Sequence, residues 1–455
     1  MKIRNKKISK QFVFSFIGFI ILFLSYTINL WQITPSEYFH GFERAPEGLV
    51  IGRLIKAEKD GIFSDGGLTG IAYTYNTDSF KTENDAVDRY RLLQHDIYLT
   101  NKAAPDNFFA YRSQTGGQGI LYSSIQKTSP LSHRINLQLF RAINSSLTAL
   151  CFMLFICWCY RNFGFISSFV TFILLLFSPW INNFSHNLWW SFWSFYLPFL
   201  SMLLLLEKRH RNPDGISEKK IFAILFLMVF VKCIFTGFEF ITTTLLAIIC
   251  PIVYYYVLEK RKFSSFIIFS LKTGLCAILA MIAEMVVLVI QIGSLTGNLT
   301  DGISHILLSY TRRTTNEIIL DNQPALSYSE VLREYFGGNA FRLSFLESSN
   351  IQVHFGILVL LILIFGLFII LINKKLKNSD ILKNRSLIIT TAFSILCPLS
   401  WYIIFKQHSS EHPHFDYIVW YMPFLLYGFL VIGQGITLAY SALFKSDNSL
   451  KRTDS

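Results

Sequence analysis

The sequence predicts an all-α, polytopic membrane protein with about ten transmembrane helices. Three observations support this class. Hydrophobic residues make up 52% of the 455 positions, and phenylalanine alone supplies 44. Charged residues make up only 15%, whereas soluble proteins average about 25%. Apolar stretches of about 20 residues, the length that crosses a bilayer as a helix, recur along the chain.

The predicted spans divide the chain into five regions. The spans lie near residues 12–33, 138–160, 165–183, 188–206, 220–236, 240–258, 272–292, 354–373, 386–405 and 417–440. The regions are an N-terminal anchor helix at 1–33, a first long loop at 34–137, central transmembrane helices at 138–292, a second long loop at 293–353, and C-terminal transmembrane helices with a short tail at 354–455. The first span is expected to stay as an anchor, because it is longer than a signal-peptide core and no small-residue cleavage site follows it.

Basic residues predict the orientation. The first ten residues hold five Lys or Arg, and "EKRHRNPDGISEKK" and "NKKLKNSDILKNR" hold five each. With ten spans these segments share one side, while Lys406 is the single Lys or Arg of the short loops opposite. Since basic short loops stay in the cytoplasm, both termini are expected there and both long loops on the outer side of the membrane. The net charge of +12 is therefore interpreted as topology, and no nucleic acid is expected as a partner.

Cofactors and metals are not expected. All seven cysteines lie in apolar segments, which gives neither a disulfide framework nor a zinc site. The predicted cytoplasmic loops are short and carry no nucleotide-binding motif. Any chemistry is therefore expected on the outer face.

The first long loop carries two glycine-rich candidate stretches. In "GRLIKAEKDGIFSDGGLTG", Asp60 and Asp65 are candidate catalytic carboxylates and Arg53 is a candidate substrate-binding residue, because glycine turns bring backbone and carboxylates close to a ligand. In "YRSQTGGQGILYSSI", the amides of Gln114 and Gln118 suit sugar hydroxyls, since an amide donates and accepts hydrogen bonds. The alternative for both stretches is an ordinary solvated loop.

Two further candidate stretches border the central spans. In "KCIFTGFEF", Lys232 and Glu239 lie at the outer end of a predicted span, where ionisable groups usually face a cavity or each other. Glu239 is a candidate catalytic acid and Lys232 a candidate substrate-binding residue; a plain interfacial ion pair is the alternative. In "HNLWWSFWSFYLPF", Trp189 and Trp190 form either an interfacial aromatic belt or a stacking platform for a sugar or an isoprenoid.

The second long loop and the last outer loop complete the candidates. "DGISHILLSYTRRTTNEIIL" predicts an amphipathic helix on the outer leaflet, and the forked guanidinium groups of Arg312 and Arg313 suit a lipid phosphate. In "KQHSSEHPHFD", three histidines accompany two acids, but H-P-H does not fit helical metal ligands. His412 is expected to contact a phosphate or a sugar hydroxyl, with a solvated loop as the alternative.

This layout resembles the GT-C class of membrane glycosyltransferases. "DGIFSDGG" lies in the first outer loop, where that class places a catalytic acid, and "HNLWWSFWSFYLPF", "KCIFTGFEF" and "HPHFDYIVWYMPF" are similar to aromatic blocks of bacterial, serotype-converting glucosyltransferases that modify O-antigen. The class usually places its acid close behind the first span. Glu43 in "GFERAPEG" lies nearer to that position than Asp60 or Asp65, so it is a further candidate.

The resemblance implies a hexosyltransferase of the bacterial inner membrane. Its donor would be a sugar on a polyprenyl phosphate, its acceptor a polysaccharide or lipid-linked glycan, and its surroundings the lipid bilayer. A carboxylate would act as general base on the acceptor hydroxyl. Two other functions stay open: an O-antigen polymerase, and a flippase or transporter of lipid-linked sugars.

Overall fold

The structure is a computed structural model that describes residues 10–100, 105–314, 326–346, 349–373 and 378–450. The side chains of residues 312–314, 342–346, 349–351, 378–379 and 444–450 lie outside this description. The helices are α1 Lys10–Ile28, α2 Ser36–Gly41, α3 Arg44–Asp60, α4 Glu83–Thr100, α5 Gly117–Thr128, α6 His133–Phe163, α7 Phe165–Leu176, α8 Pro179–His186, α9 Trp193–Arg211, α10 Glu218–Thr236, α11 Ile241–Leu258, α12 Phe263–Thr296, α13 Leu299–Thr314, α14 Tyr328–Gly337, α15 Phe355–Ile372, α16 Asn378–Ser394, α17 Leu396–Ile404, α18 Lys406–Glu411, α19 Pro413–Asp416 and α20 Phe424–Leu450.

In the described residues, two short two-stranded sheets accompany the helices, one in each long loop. The strand β1 (Gly70–Tyr73) pairs antiparallel with β2 (Asn107–Ala110) in the first long loop. The strand β3 (Asn339–Leu346) pairs antiparallel with β4 (Ser349–His354) in the second. Helices therefore make up most of the described chain, as the all-α prediction requires.

Seven helices of the described residues are long and apolar enough to cross a membrane: α1, α6, α11, α12, α15, the run Asp380–Ile404, and α20. The bent pair α7 and α8, which meet at 66°, would add an eighth span. The predictions near 188–206 and 220–236 coincide with α9 and α10. Each of these helices carries more than two charged residues in any 18-residue window, so neither is counted among the seven. The chain is thus a polytopic membrane protein by its helices, and the count of ten stays a prediction.

The first long loop folds into a packed unit and does not lie loosely on a surface. Helix α3 buries every residue from Glu47 to Ile55, because α4, α5 and β1 pack around it. At Gly52 a Cβ atom would lie 2.0 Å from the Gly70 carbonyl oxygen. Only glycine therefore permits this approach of β1 to the helix.

Helix α12 is the longest helix, with 34 residues, which corresponds to about 51 Å. It therefore extends beyond a hydrocarbon core of about 30 Å. Helix α13 folds back along it, so that a Cβ atom at Gly302 would lie 2.8 Å from Val289 Cα. The helix predicted in "DGISHILLSYTRRTTNEIIL" is confirmed up to Thr314, with Ile303, Leu307 and Tyr310 exposed, and the rest of that segment lies outside the described residues.

Candidate functional site

Acidic and histidine side chains from three separate segments meet at one end of the bundle. The segments are the turn before α3, the turn between α10 and α11, and the run α18–α19. We call these side chains the acid–histidine cluster: Glu43, Glu239, His408, His412, His414 and Asp416. Of the residues predicted to act in a site, the structure brings Glu43, Glu239 and His412 together here.

Glu43 lies at the start of α3 and is held in an unusual backbone conformation. Its φ of 50° falls in the left-handed region, which is uncommon for a residue other than glycine. Only 11% of its side chain is exposed, and its Oε1 lies 3.8 Å from His414 Nε2. Burial raises the pKa of the Glu43 carboxyl to about 7. Near neutral pH this group can therefore both accept and release a proton.

His408 lies between two carboxylates. Its Nδ1 is 3.3 Å from Asp416 Oδ2 and its Nε2 is 3.7 Å from Glu239 Oε2. Asp416 is completely buried and accepts a hydrogen bond of 2.8 Å from Trp401 Nε1. Burial raises the pKa of the Asp416 carboxyl above its ordinary value, although His408 and Trp401 act in the opposite direction. The arrangement orients the His408 ring between the two acids.

Ring contacts join the two halves of the cluster. The centroid of the His412 ring lies 4.6 Å from that of His408 and 5.6 Å from that of His414. Phe415 stacks on His412 at 5.0 Å and contacts Trp190 at 4.9 Å. A series of ring contacts therefore connects His414, beside Glu43, to His408.

Two more residues beside the cluster have a left-handed backbone. Phe240, with φ 52°, directly follows Glu239, and Ser191, with φ 38°, directly follows Trp190. Such conformations cost about 1–3 kcal/mol each and tend to occur at functional sites. Together with Glu43 they place three strained residues around one group of acids.

A buried network holds α3 in place beneath Glu43. Glu47, one turn further along α3, pairs with Arg141 at 2.6 Å and with His95 at 2.7 Å, and accepts a hydrogen bond of 3.2 Å from the Leu188 N–H. Burial alone would raise the pKa of the Glu47 carboxyl, but Arg141 and His95 hold it well below its usual value. Asn187 Nδ2 donates to the carbonyl oxygens of Phe42 and Glu43 at 3.0 and 3.4 Å. The network therefore fixes the backbone from which Glu43 projects.

Lys232 holds the turn that carries Glu239. Its ammonium group is fully buried and donates to the carbonyl oxygens of Gly237 and Glu239 at 2.8 and 2.6 Å. The ammonium also lies 5.1 Å from the centroid of the Phe195 ring. These two hydrogen bonds hold the turn, so Lys232 positions Glu239.

Asp60, Asp65 and Arg53 lie away from the cluster. Asp60 ends α3 and Glu43 precedes it, so the two acids are separated by about 25 Å along the helix. Lys56 pairs with Asp60 at 2.7 Å and with Asp65 at 3.2 Å. Arg53 is buried and donates to the Leu68 carbonyl at 2.6 Å and to Ser64 Oγ at 3.0 Å. The sharp glycine turn is confirmed, since Asp65, Gly66 and Gly67 all have positive φ, and these contacts stabilise it.

The remaining candidates of the first loop and the tryptophans are buried. Gln118 Nε2 donates to the Trp189 carbonyl at 3.3 Å, and Gln114 packs against Gly237. Trp189 contacts Tyr111, and Trp190 stacks on Phe240. Both tryptophans are at most 9% exposed, so they pack inside the protein and do not form an interfacial belt.

Two predicted arginines lack described side chains, and several residues of the site were not predicted. The side chains of Arg312 and Arg313 lie outside the part of the chain that the structure describes. Sequence reasoning missed Glu47, Arg141 and His95, because a pairing across 94 and 48 positions leaves no local pattern. It also left Asp416 and His408 without a role, although both stood in the histidine-rich loop that drew attention to His412.

Two hollows lie beside the cluster. A cavity of about 730 Å³ is lined by Tyr417, which follows Asp416, and by Tyr38, Trp180, Asn183, Arg333 and Glu334. A smaller hollow of about 190 Å³ is mainly apolar and includes Phe238, which precedes Glu239. Arg112 and His305 are the basic residues of its lining.

Comparisons with protein-family models, with curated proteins and with solved structures found no match for this chain.

Proposed function

We propose that this protein is a glycosyltransferase of the bacterial inner membrane that moves a sugar from a polyprenyl-phosphate donor to a cell-surface polysaccharide or lipid-linked glycan. The observation that carries the proposal is the environment of Glu43. A carboxylate with a pKa of about 7, buried beside His414, suits a general base. The resemblance to the GT-C class, with an acid close behind the first span, favours Glu43 over Asp60 and Asp65.

The proposed reaction is a direct displacement. Glu43 removes the proton from an acceptor hydroxyl while the hydroxyl oxygen attacks the anomeric carbon of the donor sugar. The bond between this carbon and the phosphate oxygen breaks, and polyprenyl phosphate leaves as an anion. His414, 3.8 Å from Glu43, would orient the carboxylate. The configuration of the sugar carbon would be inverted.

The two hollows suggest where the substrates would lie. The cavity of about 730 Å³ has aromatic and amide groups and falls in the usual size range of ligand sites, so we assign it to the glycan acceptor. The apolar hollow between α12 and α13 would receive the first isoprene units. Arg112, which is exposed at that hollow, would neutralise the donor phosphate.

Deletion of the gene and analysis of the surface polysaccharide by mass spectrometry tests the proposal. Loss of one branch sugar from an otherwise polymerised glycan is the expected result. Single unpolymerised repeats would favour a polymerase, and accumulation of the sugar-lipid in the cytoplasmic leaflet would favour a flippase. Complementation with wild type and with Glu43→Gln then assigns the chemistry to this residue.

A further inference from the structure

A groove lies at the opposite end of the bundle from the acid–histidine cluster. Helix α11 starts beside Glu239 and ends at Leu258, 18 residues later, which is about 27 Å away. There the last two turns of α11, the turn that follows, the start of α12, and α16 from Leu382 to Phe393 enclose a groove of about 550 Å³. This is the end where the basic short loops are found.

The groove is lined by apolar side chains and by basic residues. Its apolar side chains include Val257, Phe263, Phe266, Ile389 and Phe393, and its basic residues are Lys260, Arg261 and Arg385. Within the described part of the chain, no acidic residue lines it. Among the residues that the structure describes, neither Lys260 nor Arg385 has a carboxylate oxygen within 4.0 Å.

The turn between α11 and α12 holds its basic groups in fixed positions. Lys260 has a left-handed backbone, with φ 51°, and its N–H donates to the Val257 carbonyl at 3.2 Å. Arg261 pairs with Glu259 and lies 5.2 Å from the centroid of the Tyr256 ring. His210 also pairs with Glu259, at 2.9 Å, so Glu259 is shared between two partners and stays outside the groove lining. The backbone strain at Lys260 persists because the tight turn fixes it.

We propose that this groove binds an anionic phospholipid, with the phosphate between Lys260, Arg261 and Arg385 and an acyl chain along the phenylalanines. A phospholipid is the molecule that presents both chemistries at this depth, and basic pockets between transmembrane helices bind such headgroups. Because Lys260 belongs to the α11–α12 turn and Arg385 to α16, a bound phosphate would bridge these two elements. The proposal does not depend on the glycosyltransferase reaction.

Native mass spectrometry of the purified protein tests the proposal, with cardiolipin and phosphatidylcholine as probes. Wild type should retain cardiolipin in preference to phosphatidylcholine. The double variant Lys260→Gln/Arg385→Gln should bind cardiolipin at least about 10-fold more weakly, since each basic residue near a membrane surface contributes to the binding of an anionic lipid. The matched control is Lys219→Gln/Lys220→Gln, which removes the same charge at the start of α10, outside the groove. Equal binding by the groove variant and wild type, or an equal loss in the control, would overturn the proposal. Release of cardiolipin by millimolar inorganic phosphate would also contradict it.

A second measurement uses wild type alone and does not depend on the variants folding. A photoactivatable cardiolipin, crosslinked in bilayers and mapped by peptide mass spectrometry, should label peptides that contain residues 253–266 and 382–393. Labelling distributed evenly over the lipid-facing helices, including α12 and α15 away from the groove, would rule out a specific site.

Discussion

The Glu43 carboxylate lies 3.8 Å from His414 Nε2, although the two residues are separated by most of the chain. Glu43 belongs to the first long loop and His414 to the short loop before α20. The two loops meet because α3 is held by its buried network and α18–α19 pack over the turn that carries Glu239. This contact connects Glu43 to the rest of the acid–histidine cluster.

Replacement of Glu43 by glutamine should abolish most of the transferase activity. The amide keeps the size of the side chain but accepts no proton, and loss of a general base typically costs about 100-fold or more in rate. The measurement is transfer from a polyprenyl-phosphate sugar in reconstituted vesicles. Glu37→Gln on α2 is the matched control, because Glu37 is exposed in the same loop. Full activity of Glu43→Gln would remove Glu43 from the reaction.

The pKa of Glu43 predicts how activity depends on pH. A base acts in its ionised form, and burial raises the pKa of this carboxyl to about 7. The value of kcat/KM should therefore rise with pH and level off above an apparent pKa near 7. A profile that stays flat between pH 5 and 8 would contradict the assignment, provided that donor binding is constant over this range.

The same pKa predicts a fall in stability as pH rises. Below pH 4.5 Glu43 is protonated in both the folded and the unfolded chain, and above about pH 7 it is ionised in both. Between these values only the unfolded chain has lost the proton, so folding becomes less favourable by about 3 kcal/mol in total. The melting temperature in detergent should thus fall less for Glu43→Gln than for wild type between pH 4.5 and 8. An identical fall in both proteins would show that Glu43 ionises freely.

We expect the buried pair of Glu47 and Arg141 to stabilise the folded protein. Glu47→Gln leaves Arg141 buried without its partner, and loss of one member of a buried ion pair costs about 3–5 kcal/mol. Glu58→Gln, which breaks a contact of an exposed side chain with His133, should cost about 1 kcal/mol or less. Denaturant unfolding in detergent measures both. Comparable stability of the two variants would mean that the buried network contributes little.

The membrane-spanning helices could be predicted from the length of the apolar stretches in the sequence. Helices α1, α6, α11, α12 and α15 follow from predominantly apolar stretches of about 20 residues, the length that crosses a bilayer as a helix. The packing of the first long loop could not be predicted in this way. Helix α3 is enclosed by α4, α5 and β1, and these contacts join parts of the chain that are distant in sequence.

The candidate site was predictable only in part, for the same reason. Glu43, Glu239 and His412 attracted attention through local features: distance from the first span, an acid at a span end, and a histidine-rich loop. Their proximity depends on tertiary structure. Lys232 and Arg53 were singled out as cations in polar stretches, but buried cations often bind backbone carbonyls, and here they stabilise turns.

Asp60→Asn and Asp65→Asn test the alternative assignment of the catalytic acid. Both carboxylates pair with Lys56 at the far end of α3 from Glu43, and partly exposed ion pairs contribute about 1 kcal/mol or less. Each variant should therefore keep its transfer rate within a few-fold of wild type. A loss as large as that of Glu43→Gln would move the reaction to the glycine turn and overturn our choice of base.

Both long loops should lie on the same side of the membrane, because both contact residues 406–417. Tyr417 donates to Glu334 Oε1 at 2.7 Å from the second loop, and His414 meets Glu43 from the first. Reporter fusions after residues 90 and 325 should therefore be active only outside the cytoplasm, whereas a fusion after residue 215, in the basic segment following α9, should be active only inside. Fusions at 90 and 325 that report the cytoplasm would place the acid–histidine cluster on the wrong face for a periplasmic transferase. Opposite results at these two positions would contradict the contacts themselves.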